Sequence, residues 1–207
     1  MAKLIKIIPI LLVALVLMVE GLSGCSAPTL APLKSDGVIL AFGDSLTVGV
    51  GTTKSNSYPS VLAELSGLRV INSGISGETS DRGRKRLVVE LDRVSPDLLI
   101  LIEGGNDILR NRRYADIKKD LKGMVELAKN RGIPVVLIGV PEKSLLSSSA
   151  PFYEELADQY ELVFDGVLLG SLQRSPKLKS DVIHFNQKGY RKMAEGIYAL
   201  LQNSGAL

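Results

Sequence analysis

The run Asp-Leu-Leu-Ile-Leu-Ile at 97–102 carries no polar residue from Leu98 to Ile102, so a strand formed there has no face to turn to water. A strand buried on both sides belongs in a parallel sheet covered by helices above and below. Pro134–Ile138 repeats the pattern, and Val38–Ala41, Leu68–Ile71 and Leu162–Phe164 are shorter candidate strands. Helical signals fill the intervals. A first helix starts near Pro59, whose fixed φ suits an opening turn. Thr79–Val94 places Leu87, Val88, Leu91 and Val94 at helical spacing and stops at Pro96. Asp116–Asn130 turns Ile117, Leu121, Met124, Val125 and Ala128 inward and ends at Gly132, and Phe152–Tyr160 and Gln187–Leu201 complete the set. This alternation predicts a three-layer α/β/α sandwich with a five-stranded parallel sheet, spanning 37–207. In such sheets ligands bind beyond the carboxyl ends of the strands.

The first 36 residues are of a different kind. Lys3 and Lys6 precede an uncharged apolar run, Ile7–Val19, which is shorter than the roughly 18 to 20 residues needed to cross a bilayer. Leu22-Ser23-Gly24-Cys25 follows and resembles the bacterial lipobox. There a peptidase cuts before a cysteine whose sulfur carries diacylglycerol. Residues 1–24 are thus expected to be a lipoprotein signal peptide and Cys25, the sole cysteine of the chain, its lipidation site. An ordinary secretory signal and an uncleaved anchor are the weaker alternatives. Ser26–Asp36, rich in Pro, Ser and Ala, reads as a tether of up to roughly 35 Å. The expected location is the bacterial cell envelope, on the outer membrane where there are two, because Ser26 rather than Asp follows Cys25.

Charge narrows the partners. The chain has 25 Lys and Arg against 22 Asp and Glu; removing Lys3, Lys6 and Glu20 with the leader leaves 23 and 21. So even a balance offers no field for a nucleic acid. The nearest basic cluster, Arg82, Arg84, Lys85 and Arg86, reads as the solvated face of a helix. A single cysteine rules out an intramolecular disulfide and any zinc site needing several thiolates.

Four motifs sit at predicted strand ends: Gly43-Asp44-Ser45-Leu46, Ser73-Gly74-Ile75-Ser76-Gly77-Glu78, Gly104-Gly105-Asn106-Asp107, and Asp181-Val182-Ile183-His184 ahead of the last helix. Each has a plain structural explanation. Ser45 suits a helix cap, Gly77 a turn with positive φ, Asn106-Asp107 an Asx turn, and His184 an ordinary loop. Asp44 reads as structural, bonded to nearby backbone. Together they make a chemical set. A serine is a poor nucleophile without an adjacent base, and the chain's only histidine is His184.

In this order the four motifs resemble the conserved blocks of the GDSL, or SGNH, hydrolases, over essentially Gly37–Leu201. The resemblance implies a flavodoxin-like arrangement and a serine esterase without metal or organic cofactor. It implies Ser45 as nucleophile, His184 as its base and Asp181 behind the histidine. The Ser45 N–H, the Gly77 N–H and the Asn106 side chain would form the oxyanion hole. Phe185 departs from the Leu or Pro common after the histidine, whereas Asn186 and Gly189 match the usual continuation. Lys143–Pro151, with Ser147, Ser148 and Ser149, is expected to form a flexible rim of the acyl pocket. The expected substrates are carboxylic esters, thioesters or lysophospholipids, and a monomer is expected. Two rivals stand: an O-acetyl-polysaccharide deacetylase using the same site, and a catalytically idle binding lipoprotein.

Overall fold

The computed structural model describes residues 27–143 and 148–207. Cys25 and the whole leader lie outside the described residues, as does the 144–147 part of the expected rim.

The apolar runs become five parallel strands: β1 (Val38–Gly43), β2 (Arg69–Gly74), β3 (Leu98–Ile102), β4 (Val135–Ile138) and β5 (Val163–Asp165). Their order is β2-β1-β3-β4-β5. Every residue of β3 and β4 is buried, as strands covered on both faces require. β2, at an edge, keeps five of its six positions at least partly open, which explains its mixed sequence.

The helices are α1 (Ser45–Val48), α2 (Tyr58–Ser66), α3 (Ser80–Val94), α4 (Gly105–Leu109), α5 (Tyr114–Lys129), α6 (Pro151–Tyr160), α7 (Leu168–Gln173) and α8 (Gln187–Asn203). α8 packs against α2 and α7, while α5 packs against α3 and α6, forming a layer on each face of the sheet. The predicted boundaries shift by a residue or two. Two short helices, α4 and α7, lay in stretches without readable periodicity. Each has only five or six residues, too few to display a helical repeat.

Two expectations need correction. Ser26–Asp36 is not a free tether throughout. The Leu30 N–H donates to the Ser204 carbonyl at 2.8 Å, and the Leu33 N–H donates to Ala206 at 2.9 Å. Both leucines pack on the hydrophobic core. Nor is Arg86 solvated. It turns inward and pairs with Glu78, its side chain only 19% exposed.

The docked segment adds apolar burial and two hydrogen bonds to the native state. Leu33→Asp is therefore expected to lower the urea midpoint at unchanged m-value, with a loss of about 1–3 kcal/mol.

Candidate active site

β1 turns into α1 across Gly43-Asp44. A Cβ on Gly43 would lie 2.2 Å from the Ile102 carbonyl oxygen and 2.4 Å from Thr47 Oγ1, so only glycine lets β1 end against β3 here. Asp44 caps α1, accepting the Leu46 N–H at 3.0 Å. Ser45 is the first residue of the helix. Its N–H has no acceptor within the helix, as at any helix start, and is directed outward from the strand end.

His184 arrives from the opposite side on a loop shaped by Asp181. One carboxylate oxygen, Oδ1, accepts the Ile183 N–H at 2.7 Å and the His184 N–H at 2.8 Å. Its other oxygen lies 2.8 Å from His184 Nδ1. His184 Nε2 in turn lies 3.0 Å from Ser45 Oγ. The loop is fastened from below. The buried Phe185 stacks edge-on against Tyr190, whose hydroxyl donates to the Val50 carbonyl at 2.7 Å. The amide hydrogen bonds, the His184 N–H foremost, hold the Asp181 carboxyl down at about 2. Asp181 therefore stays anionic and fixes the Nδ1–H tautomer, leaving Nε2 free to accept a proton.

Asn106 lies at the start of α4, immediately after β3, and its Nδ2 donates to Asp44 Oδ2 at 3.2 Å. Asp44 thus does more than bond local backbone, as the sequence suggested; it also fixes the Asn106 amide. Burial pushes the Asp44 carboxyl up to about 6, opposed by the Leu46 N–H and by His184. Gly77 has φ +77°, in the left-handed region that favours glycine, and Arg110 donates to its carbonyl at 3.2 Å. Asp107 does not form a local Asx turn. It is buried, and reaches across to accept the Ser80 N–H at 2.8 Å at the start of α3, with Arg112 paired to it at 2.7 Å. Arg110 carried no sequence signal, because the Gly77 carbonyl it holds lies 33 residues away, and Arg112, which pairs with Asp107 and Asp120, looked like one more arginine of a basic loop.

These side chains surround a cleft of about 300 Å³. Ser45, Gly77, Asn106 and His184 share it with Leu46, Ile108, Leu109, Val140, Pro141 and Ile183. Lys143, the first residue of the expected rim segment, reaches the cleft beside Glu142 just ahead of it. The far end of that segment is pinned rather than flexible, since the Ser149 N–H donates to the Gly166 carbonyl at 2.8 Å. Among the described residues no group of three or more His, Cys, Asp and Glu is placed to hold a metal ion.

The model of the GDSL-like lipase/acylhydrolase family matches residues 41–192. The chain belongs to this family. Among its relatives, esterase TesA of Pseudomonas aeruginosa is 34% identical over 125 residues, covering 58% of this chain and 62% of TesA. The match thus spans less than two thirds of that relative's length. The protein named thioesterase 1/protease 1/lysophospholipase L1 of Escherichia coli is 26% identical over 172 residues, covering 79% of this chain and 83% of its own. The crystal structure of AlinE4, described as an SGNH-hydrolase family esterase, superposes with a TM-score of 0.65 at 31% identity, over 83% of this chain and 98% of that one. The GDSL string itself ends at Leu46, so the family's signature and the first turn of α1 coincide here.

A carboxyl lowered on folding contributes stability at pH values above its unfolded value of 3.8, and that contribution is lost as pH falls through about 2. Asp181→Asn removes the titrating group. Its urea midpoint should fall less than that of the wild type between about pH 4 and about pH 2.

Proposed function

We propose that this chain is a serine esterase that hydrolyses lipid-derived carboxylic esters through an acyl-serine intermediate. The observation that carries the reading is the line Asp181–His184–Ser45, with spacings of 2.8 and 3.0 Å, opening into an apolar cleft.

The chemistry follows from the geometry. His184 Nε2 accepts the Ser45 hydroxyl proton as Oγ attacks the acyl carbon, and Asp181 stabilises the imidazolium. The carbonyl electrons move to oxygen. The Ser45 N–H, the Gly77 N–H and the Asn106 amide meet that charge, Asn106 being held in place by Asp44. Collapse of the tetrahedral species breaks the ester C–O bond, and the leaving alcohol takes the proton from His184. Water, activated by the same imidazole, then releases the acid from Ser45.

The cleft's lining bears on the substrate. Beyond Asn106 it continues along Ile108, Leu109, Val140 and Pro141, and Val182 at its mouth is 82% exposed. An apolar continuation favours an acyl chain over an acetyl group, which sets the deacetylase reading behind. A thioesterase and lysophospholipase name on one relative supports thioesters and lysophospholipids as further substrates. A monomer is proposed with it. Lipidation at Cys25, on the envelope side of a bacterial membrane, is proposed from the sequence motif alone, and a Cys25→Ser chain should fail to take up labelled palmitate in cells.

The decisive assay uses p-nitrophenyl esters from acetyl to palmitoyl. Ser45→Ala should lose about 10⁴-fold or more in kcat, and Asn106→Ala about 10²- to 10³-fold, both with wild-type circular dichroism. Medium or long chains should be preferred to acetyl. No turnover of any ester, or equal turnover by Ser45→Ala, would overturn the reading.

A further inference from the structure

The oxyanion hole just proposed is built from two loops that leave different strands, and the residues next to its donors meet beneath the cleft. Glu78 directly follows Gly77, and Glu103 lies three residues before Asn106. Both are buried, Glu103 completely. Both carboxyl groups pack against one stretch of α3, Glu103 at Gly83 and Glu78 at Arg86 one turn later.

Only one of the two is neutralised by a cation. Arg86 of α3 grips Glu78, with Nε at 2.9 and 3.1 Å from its two oxygens and a terminal nitrogen on the same carboxylate. The same guanidinium donates to Ser73 Oγ at 2.6 Å and lies 3.9 Å from the centre of the Phe42 ring, just ahead of Gly43. Glu103 lies in the fields of Asp44 and Glu78; the Tyr153 hydroxyl, from α6, donates to its backbone carbonyl at 2.6 Å rather than to its carboxyl. The Gly104 N–H donates to Oε2 at 3.1 Å. Oε1 has no hydrogen-bond partner among the described residues. On its side α3 presents Gly83, where an added Cβ would stand 3.3 Å from Oε1. Two neighbouring buried carboxyls with a cation on only one of them do not both ionise.

We infer that Glu103 keeps a proton on Oε1 and donates it to the Glu78 carboxylate, latching the Gly77 and Asn106 walls of the oxyanion hole together. Burial, with the charges of Asp44 and Glu78 beside it, pushes the Glu103 carboxyl well above the usual range, in agreement with that bond. Arg86 extends the latch to the end of β1. Glu103 is therefore a positioning residue: it touches no substrate and acts through the distance between two donors. The role in turnover rests on the esterase reading above, whereas the shared proton does not.

The test uses the full chain and separates the two. Infrared spectra at about pH 8, where Asp44 at about 6 is ionised, should show the carbonyl stretch of a protonated carboxyl. Ser45→Ala should keep the band and Glu103→Gln should lose it. Glu103→Leu, which cannot donate, should lower kcat by about ten- to hundredfold with KM within about twofold. Glu103→Gln places an amide donor against Glu78 and should recover at least about tenfold of that loss. Absence of the band in wild type, or its persistence in Glu103→Gln, overturns the shared proton. Loss carried by KM, or equal kcat in a folded Glu103→Leu and wild type, overturns the positioning role. If Glu103→Leu does not fold, the Gln variant decides alone: a folded Gln variant whose kcat falls more than about thirtyfold refutes the latch. An inactive wild type would refute the esterase reading while the band still decides the proton.

Discussion

Everything at the site depends on three strands ending at one level. β1 lies between β2 and β3, with Gly43 paired to Gly74 on one side and to Ile102 on the other. The chain therefore leaves all three strands in the same plane, and the residues that follow, Ser45, Gly77 and Asn106, converge. β1 is also where the strand order reverses, with β2 on one side and β3, β4 and β5 on the other, the place where open α/β sheets form a crevice. The close approach of β1 and β3 tolerates no side chain at 43. One missing Cβ thus sets the separation between the helix that carries Ser45 and the loop that carries Asn106.

Beneath this convergence the molecule buries an unusual number of acids for so small a volume: Asp44, Glu78, Glu103 and Asp107. Three of the four have partners of different kinds. Asp44 is held by the Leu46 N–H and the Asn106 amide, Glu78 by Arg86, and Asp107 by Ser80 and Arg112. Buried polar groups that find all their partners specify one arrangement, because any slip leaves a charge uncompensated in low dielectric. The proposed catalytic groups are few and stand on loops or at the starts of short helices; the rigidity they need comes from this layer, which is tied to α3 through Ser80 and Arg86.

Much of this was legible in the sequence, and the reason is local. Five apolar runs, each bounded by Gly, Pro or polar residues, gave the strands, since a strand buried on both faces needs only consecutive apolar residues. Ser45, Gly77, Asn106, Asp181 and His184 were recognisable because the motifs are short and the residue types chemically restricted; the structure brings four of them to one cleft, with Asp181 behind His184. What escaped was decided at a distance. Arg86 looks like its neighbours Arg84 and Lys85 in a basic helix; only the position of Phe42 and Glu78 across the sheet turns it inward. Asp107 resembled a turn residue until α3 supplied a helix start for it to cap. The docking of Leu30 and Leu33 required the end of α8 to be near, which no pattern within 27–36 reveals.

That docking also gives the molecule a direction. α8 begins at Gln187, beside the His184 loop, and finishes at Asn203, next to the Ser204 and Ala206 carbonyls that receive Leu30 and Leu33. Seventeen residues of helix span about 25 Å. The N-terminal segment is thus fastened at the base of the domain while the cleft opens at its crown. The cleft is therefore approached from the end of the domain opposite the docked N-terminal segment.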